Sequence, residues 1–319
     1  MDIQLLVENL TNPALLFFFL GVLAVSLKSD LEIPPNSSKF ISLYLLFSIG
    51  FKGGQELSHS ELSPEIGWAL LGGIFLALFV PVYGFFLLKK RLGTANAGAI
   101  AAAYGSVSAV TFVTAVSYLD VHHIAYNGYM VAVMAIMEAP SIIVGMFLLS
   151  LFGGMAAANT SWRKLLHHAL TNGSVLLIIG SLVIGYLANP EQAEGIKPFT
   201  TDIFKGFLAV FLLDMGIISG KKLSSFLQAG WFPLAYAIVV PLVNGCLVAY
   251  ASQWLSPEIG NRFLFAILAA SASYIAVPAA MKMAVPQANP GLYIPMALAV
   301  TFPFNITLGM PIYMGIIML

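Results

Sequence analysis

Charge is the first thing this chain lacks. Asp, Glu, Lys and Arg make up only 9% of its 319 residues, against 59% hydrophobic residues. Soluble domains average about 25% charged, so a 34.1 kDa chain of mean hydropathy +0.91 has too little charge to cover a water-facing surface. Disorder is excluded for the opposite reason, because it requires low hydrophobicity and high charge. Lys plus Arg and Asp plus Glu number 14 each, and no basic tract suggests nucleic acid. Cysteine is nearly absent: Cys246 stands alone in an apolar run, so no intrachain disulfide can form. Enzyme signatures are missing too, with no His-Glu-x-x-His helix, Walker A loop or Gly-x-Ser-x-Gly elbow. The neighbouring pairs His122-His123 and His167-His168 would point apart on a helix, which argues against a metal site. What remains is an all-α polytopic membrane protein that is not an enzyme.

A helix needs about 20 mostly apolar residues to cross the hydrocarbon core. Cutting the chain at charges, prolines and polar clusters leaves ten segments, at roughly 13–27, 38–55, 66–88, 95–119, 126–152, 172–188, 201–220, 226–250, 262–284 and 290–317. The first lacks a basic n-region and a small-residue cleavage site, so it reads as a span and not as a cleaved signal peptide. The longest stretch without a span, about 153–171, contains Trp162, Arg163, Lys164, His167 and His168. Placing both termini outside puts ten Lys and Arg residues in inner loops and four (Lys52, Lys197, Lys205 and Arg262) in outer ones. Cytoplasmic loops carry the excess of Lys and Arg, which favours that orientation.

The chain also repeats itself at an offset of about 165 residues. Aligning Lys39 with Lys205 pairs Leu46 with Leu212, Gly50 with Gly216, Gly54 with Gly220 and Leu57 with Leu223. Gly67-Trp68 matches Gly230-Trp231, and Ala102-Ala103 with Ala109-Val110 matches Ala269-Ala270 with Ala276-Val277. Tyr129, Gly145 and Met146 match Tyr293, Gly309 and Met310 in the same order. The expected halves are 1–170 and 171–319. Five spans per half is an odd number, so the second half enters the membrane from the opposite side. Such 5+5 inverted repeats characterise secondary transporters.

The fourth and ninth spans should be discontinuous. The fourth reads Tyr104-Gly105-Ser106-Val107-Ser108-Ala109-Val110-Thr111 at its centre, and the ninth Ser271-Ala272-Ser273-Tyr274-Ile275-Ala276-Val277-Pro278. Gly105 permits backbone geometry that other residues resist, and Pro278 suits the first turn of a new half-helix. Paired interruptions in two halves point to a transporter's binding site. A half-helix N-terminus presents free N–H groups that attract a small anion. The hydroxyls of Ser106, Ser108, Thr111, Ser271 and Ser273 could add donors. The carbonyl ends of the preceding half-helices suit Na⁺. Small-residue helix packing is the alternative reading of the same residues. Glu138, within the fifth span, is a candidate for ion or proton coupling, because an intramembrane carboxylate must be paired, protonated or facing water. Thr301 and Asn305 could hold the cation with neutral oxygens. Asp214 either couples an ion, caps a helix or pairs with a lysine.

These residues resemble those of the SbtA-type sodium-dependent bicarbonate transporters of bacteria. The likeness covers nearly all ten spans. It is closest from Lys39-Phe40-Ile41 to Gly53-Gly54, at Gly105-Ser106-Val107-Ser108 and at Glu138-Ala139-Pro140. Near the C-terminus it includes Pro286-Gln287-Ala288-Asn289-Pro290, Tyr293-Ile294 and Leu308-Gly309-Met310-Pro311-Ile312-Tyr313. The chain departs from the pattern where the family has an acidic residue after the ninth-span serines, and at Glu138, an aspartate in the pattern. The resemblance implies sodium-coupled uptake of bicarbonate or a similar small anion in a bacterial inner membrane. It implies a core of spans 3–5 and 8–10 that moves like an elevator against a gate of spans 1, 2, 6 and 7. Substrate contacts are then expected at Gly105, Ser106, Val107, Ser108, Thr111, Ser271, Ser273 and Tyr274, with sodium at Glu138, Thr301 and Asn305. It further implies a homotrimer, a PII-like cytoplasmic regulator and no organic cofactor. The rival expectation is a membrane sensor or scaffold that keeps the fold, binds the PII-like protein and transports nothing.

Overall fold

The computed structural model describes residues 10–58, 63–152, 171, 173–275, 277–278, 280–281 and 285–319, the side chains of 224 and 225 aside. The loop expected at 153–171, apart from 171, lies outside the described residues, as does Lys282. All regular structure among the described residues is helical. The helices are α1 (Pro13–Ser26), α2 (Pro35–Ser58), α3 (Pro64–Gly105), α4 (Ala109–Val121), α5 (Tyr129–Phe152) and α6 (Gly173–Leu187). They continue as α7 (Pro190–Lys197), α8 (Phe204–Phe226), α9 (Trp231–Ala251), α10 (Ile259–Ala270) and the run α11 (Pro290–Ile317). Among the described residues, five helical runs are long and apolar enough to cross a membrane. The helix α2 has the length, at 24 residues, but carries Lys39, Lys52 and Glu56. The apolar helices α1, α6 and α10 have only 14, 15 and 12 residues.

The 42 residues of α3 would extend about 63 Å if straight, twice the hydrocarbon thickness of about 30 Å. The chain instead turns at Gly93, whose φ of 76° lies in the left-handed region that favours glycine. The fold-back shows in the contacts. A Cβ at Gly105 would strike the ring of Pro81, and one at Gly84 would lie 3.9 Å from Ala101. The third and fourth spans therefore form a helical hairpin about Gly93.

Glycines also set the closest helix crossings. A Cβ on Gly21 of α1 would run into the Leu213 carbonyl of α8, and one on Gly216 into the Phe18 carbonyl of α1. Gly54 of α2 meets the Leu182 carbonyl of α6 in the same way, and Gly185 meets that of Phe51. Membrane helices gain no hydrophobic drive from each other, so backbone approach through small residues holds them. The pairs α1–α8 and α2–α6 thus pack on the same device. Outside these seams the helices turn apolar groups outward: Phe75, Leu247 and Leu176 are 60%, 63% and 64% exposed. Trp68, Trp231 and Trp254 stand exposed at helix ends, where indole rings anchor at a membrane interface. This is a multi-pass membrane protein.

Candidate functional site

Two interruptions meet inside the bundle. The first is the extended stretch Ser106–Ser108 between α3 and α4. The second begins at Ser271, after α10, and helical backbone resumes at Val277 and Pro278. Extended backbone at this depth needs partners, and each break supplies them to the other. The Ser273 N–H donates to the Ala103 carbonyl at 2.8 Å, and the Ser108 N–H donates to Ser271 Oγ at 3.1 Å. Each following half-helix is capped by a serine at the equivalent repeat position. Ser108 Oγ accepts from the Thr111 N–H at 3.1 Å, and Ser273 Oγ from the Val277 N–H at 3.3 Å.

The two sides are not identical. Ser271 Oγ is fully engaged, because it also donates to the Leu268 carbonyl at 3.0 Å. Its repeat counterpart, Ser106, is bypassed by the direct Ser273–Ala103 bond. Ser106 Oγ is 1% exposed as a residue and has no hydrogen-bond partner. A buried polar group left unpaired is uncommon, and Ser106, like Gly105, does not line the cavity at the crossing. Gly105 has ordinary helical backbone; among the described glycines only Gly93 and Gly230 have positive φ. The expectation of special backbone geometry at Gly105 is therefore corrected: the residue is needed for its close approach to Pro81.

A small cavity of about 30 Å³ lies at the crossing. Its lining includes Val107, Ser108, Ala109, Val110, Glu138, Ser273, Tyr274 and Ile275 on one side, and Ser42, Leu46 and Ser174 from α2 and α6 on the other. Among the described residues, no lysine or arginine lines it. Residues Ala109 and Val110 open α4, where N–H groups lack intrahelical acceptors. The structure thus brings Val107, Ser108, Ser273 and Tyr274 together with Glu138. Ser271 and Thr111 brace the breaks from behind.

Thr301 and Asn305 lie elsewhere. Tyr104 donates to Thr301 Oγ1 at 2.7 Å, and Thr301 in turn donates to the Ala237 carbonyl at 2.7 Å. Asn305 Nδ2 donates to the Ala270 carbonyl at 2.7 Å, and its Oδ1 accepts from Tyr313 at 3.0 Å. Both residues sit in π-helical turns of α11, and such turns are frequent at functional sites. They do not line the cavity with Glu138. The Leu268, Ala103 and Ala270 carbonyls, where the sequence suggested Na⁺ ligands, all accept hydrogen bonds from the protein.

A vestibule of about 520 Å³ adjoins the cavity and shares Ser42, Ser174, Tyr274 and Ile275 with it. Lys39, Asp214 and Lys221 also line it. Asp214 accepts a very short hydrogen bond from Ser38, which ties α8 to the start of α2. About 16 Å further along α2, eleven residues past Ser42, the helix packs against the residues that flank α4 and α5. The backbones of Gly53 and Gly128 touch there, and Lys52 pairs with Asp120 at 3.5 Å. Ser42 and Ser174 carry no local sequence signal, because only packing brings α2 and α6 to the breaks.

Two half-helix breaks that meet at one cavity beside a vestibule are an arrangement found at the binding sites of membrane transporters. The chain belongs to the Na+-dependent bicarbonate transporter superfamily, whose profile matches residues 13–318. No curated protein matches it significantly. The family is one of transporters and not of enzymes.

Proposed function

We propose that this chain is a symporter that takes up bicarbonate or a similar small anion with sodium, the ions crossing together at the two breaks. One observation carries the reading: Glu138 shares a single cavity with the N-terminal turn of α4, and among the described residues no Lys or Arg lines that cavity. Two like charges 4 Å apart repel by about 4 kcal/mol at an effective dielectric of 20. An anion held by the α4 N–H groups therefore tolerates ionised Glu138 only when a cation screens the pair. Obligate occupancy by both ions is what couples them. Thr301 and Asn305, outside this cavity and bonded to Tyr104, Ala237, Ala270 and Tyr313, would offer neutral oxygens to sodium only at a separate position behind the breaks.

The repeat supports a ten-span, 5+5 inverted design with halves 1–170 and 171–319. Asn96 and Asn261 stand at equivalent positions and bond reciprocally across the halves. Asn96 Oδ1 accepts the Asn289 N–H and Asn261 Oδ1 the Asn127 N–H, both at 2.8 Å. The cavity lies between the breaks and the pair α2–α6, which supports an elevator-like movement of a core against a gate of spans 1, 2, 6 and 7. The family resemblance supports a homotrimer, a PII-like cytoplasmic partner and a bacterial inner membrane.

Uptake of labelled bicarbonate into proteoliposomes tests this reading. Accumulation should follow an imposed sodium gradient and vanish when choline replaces sodium. Equal uptake in choline rejects the coupling. Absence of uptake by folded protein that still binds a PII-like protein rejects transport and establishes the sensor or scaffold reading.

The charge bias further predicts that both termini face outside and that the vestibule opens to the cytoplasm. Cysteines added at each end, in a Cys246→Ser background, should react with an impermeant maleimide in intact cells. Protection of both ends reverses the orientation, and labelling of one end alone removes the ten-span count.

A further inference from the structure

Tyr274 occupies a singular place at the breaks. It lines both the 520 Å³ vestibule and the 30 Å³ cavity. The residue is 9% exposed, and its ring stands edge-on to Phe302 with centroids 6.0 Å apart. The backbone just before it is pinned by the Ser273–Ala103 bond at 2.8 Å. The phenol is thus fixed at its root and braced along its ring. Ser108 adjoins its hydroxyl, yet that hydroxyl makes no hydrogen bond of ordinary geometry. A buried phenol normally finds a partner. A donor held unpaired at the mouth of a cavity has its partner in whatever enters.

We infer that Tyr274 is the specificity-determining residue of this transporter: its hydroxyl donates to one oxygen of the anion, and its ring limits the site to compact planar oxyanions. The inference rests on the proposed anion site and adds the basis of its selectivity. By the same volume measure a water molecule needs about 10–15 Å³, so the cavity holds two or three water-sized groups. That matches the three non-hydrogen atoms of formate, is filled by the four of bicarbonate, and leaves a longer alkyl tail to displace the ring. The vestibule beyond is large enough for bigger anions, so size selection falls at the boundary that Tyr274 forms with Ser42, Ser174 and Ile275.

Two substitutions separate hydroxyl from ring. Tyr274→Phe keeps the ring and should raise the half-saturation for bicarbonate about twofold to tenfold, as expected for one neutral hydrogen bond, with formate affected alike. Tyr274→Ala removes the wall. Propionate, a poor competitor of bicarbonate in the wild type, should then compete at least tenfold better relative to formate. At saturating bicarbonate, the sodium concentration for half-activation should stay unchanged in both variants. The same selectivity is read without transport, from thermal stabilisation of the detergent-solubilised protein by formate, acetate and propionate. Wild-type uptake of bicarbonate tests the underlying function. If the wild type transports but Tyr274→Ala keeps the wild-type ranking of the three carboxylates, the filter is overturned and the function stands. An unchanged half-saturation in Tyr274→Phe overturns the donor role.

Discussion

Ser108→Leu is expected to abolish uptake, whereas Ser108→Ala should only weaken it. The contrast follows from what the residue does. Its hydroxyl caps α4 through the Thr111 N–H, and its side chain lines the cavity. Removing the hydroxyl loses an N-cap, at roughly 0.5–2 kcal/mol of stability, and one possible donor to the anion, at roughly 0.5–1.5 kcal/mol. The apparent half-saturation should rise about twofold to tenfold while folded protein is still recovered. Leucine adds several carbon atoms to a space of about 30 Å³, and the site is then filled. Uptake normalised to folded protein should fall at least a hundredfold. Ser271→Ala is the matched control, because Ser271 Oγ spends both its functions on Leu268 and Ser108. That variant should lose thermal stability with a smaller change in half-saturation. Normal transport by Ser108→Leu would show that the substrate does not pass the first break, and its serines would then be packing residues.

The second large effect is expected at Glu138. Glutamine keeps the shape but removes the charge and turns one acceptor oxygen into an amide donor, and the charge is the feature required if Glu138 binds the cation. An attraction of about 4 kcal/mol between unit charges at 4 Å leaves room for a loss well beyond tenfold. At saturating bicarbonate, the sodium concentration for half-activation should rise more than tenfold in Glu138→Gln. Expression and size-exclusion behaviour should change little, since the side chain borders a cavity and is only half-buried. Glu138→Asp should keep part of the sodium dependence. Wild-type sodium activation in an actively transporting Glu138→Gln would remove Glu138 from coupling.

The dependence of these tests on the breaks shows how far the sequence could be read. Ser-Val-Ser at 106–108 and Ser-Ala-Ser at 271–273 announced interruptions because hydroxyl and small residues recur at equivalent depth in two apolar spans. The hairpin at Gly93 was not legible, although the ten segments required a turn there. A left-handed glycine in a Leu-Gly-Thr context looks like any other glycine until its φ is known. The same holds for the polar residues of α11. Thr301 and Asn305 read as cation ligands because they are oxygens in an apolar helix. Their hydrogen bonds to Ala237, Ala270, Tyr104 and Tyr313 depend on which helices pack beside α11.

Composition and spacing alone determined that this chain lives in a membrane and where its helices break. Those properties are local or periodic, and each span carries its own hydropathy and its own helix-breaking residues. Tertiary structure decided which groups share a space. It set Glu138 beside the start of α4, placed Ser42 and Ser174 opposite them, and put Tyr274 between cavity and vestibule. It also separated Ser271 from Ser106, two serines with the same sequence role, by satisfying one and leaving the other unpaired. The physical reason is that a hydrogen bond is settled by distances of a few tenths of an ångström between segments over 160 residues apart. Side-chain periodicity gives the face of a helix, but the partner on that face is chosen only when the bundle packs.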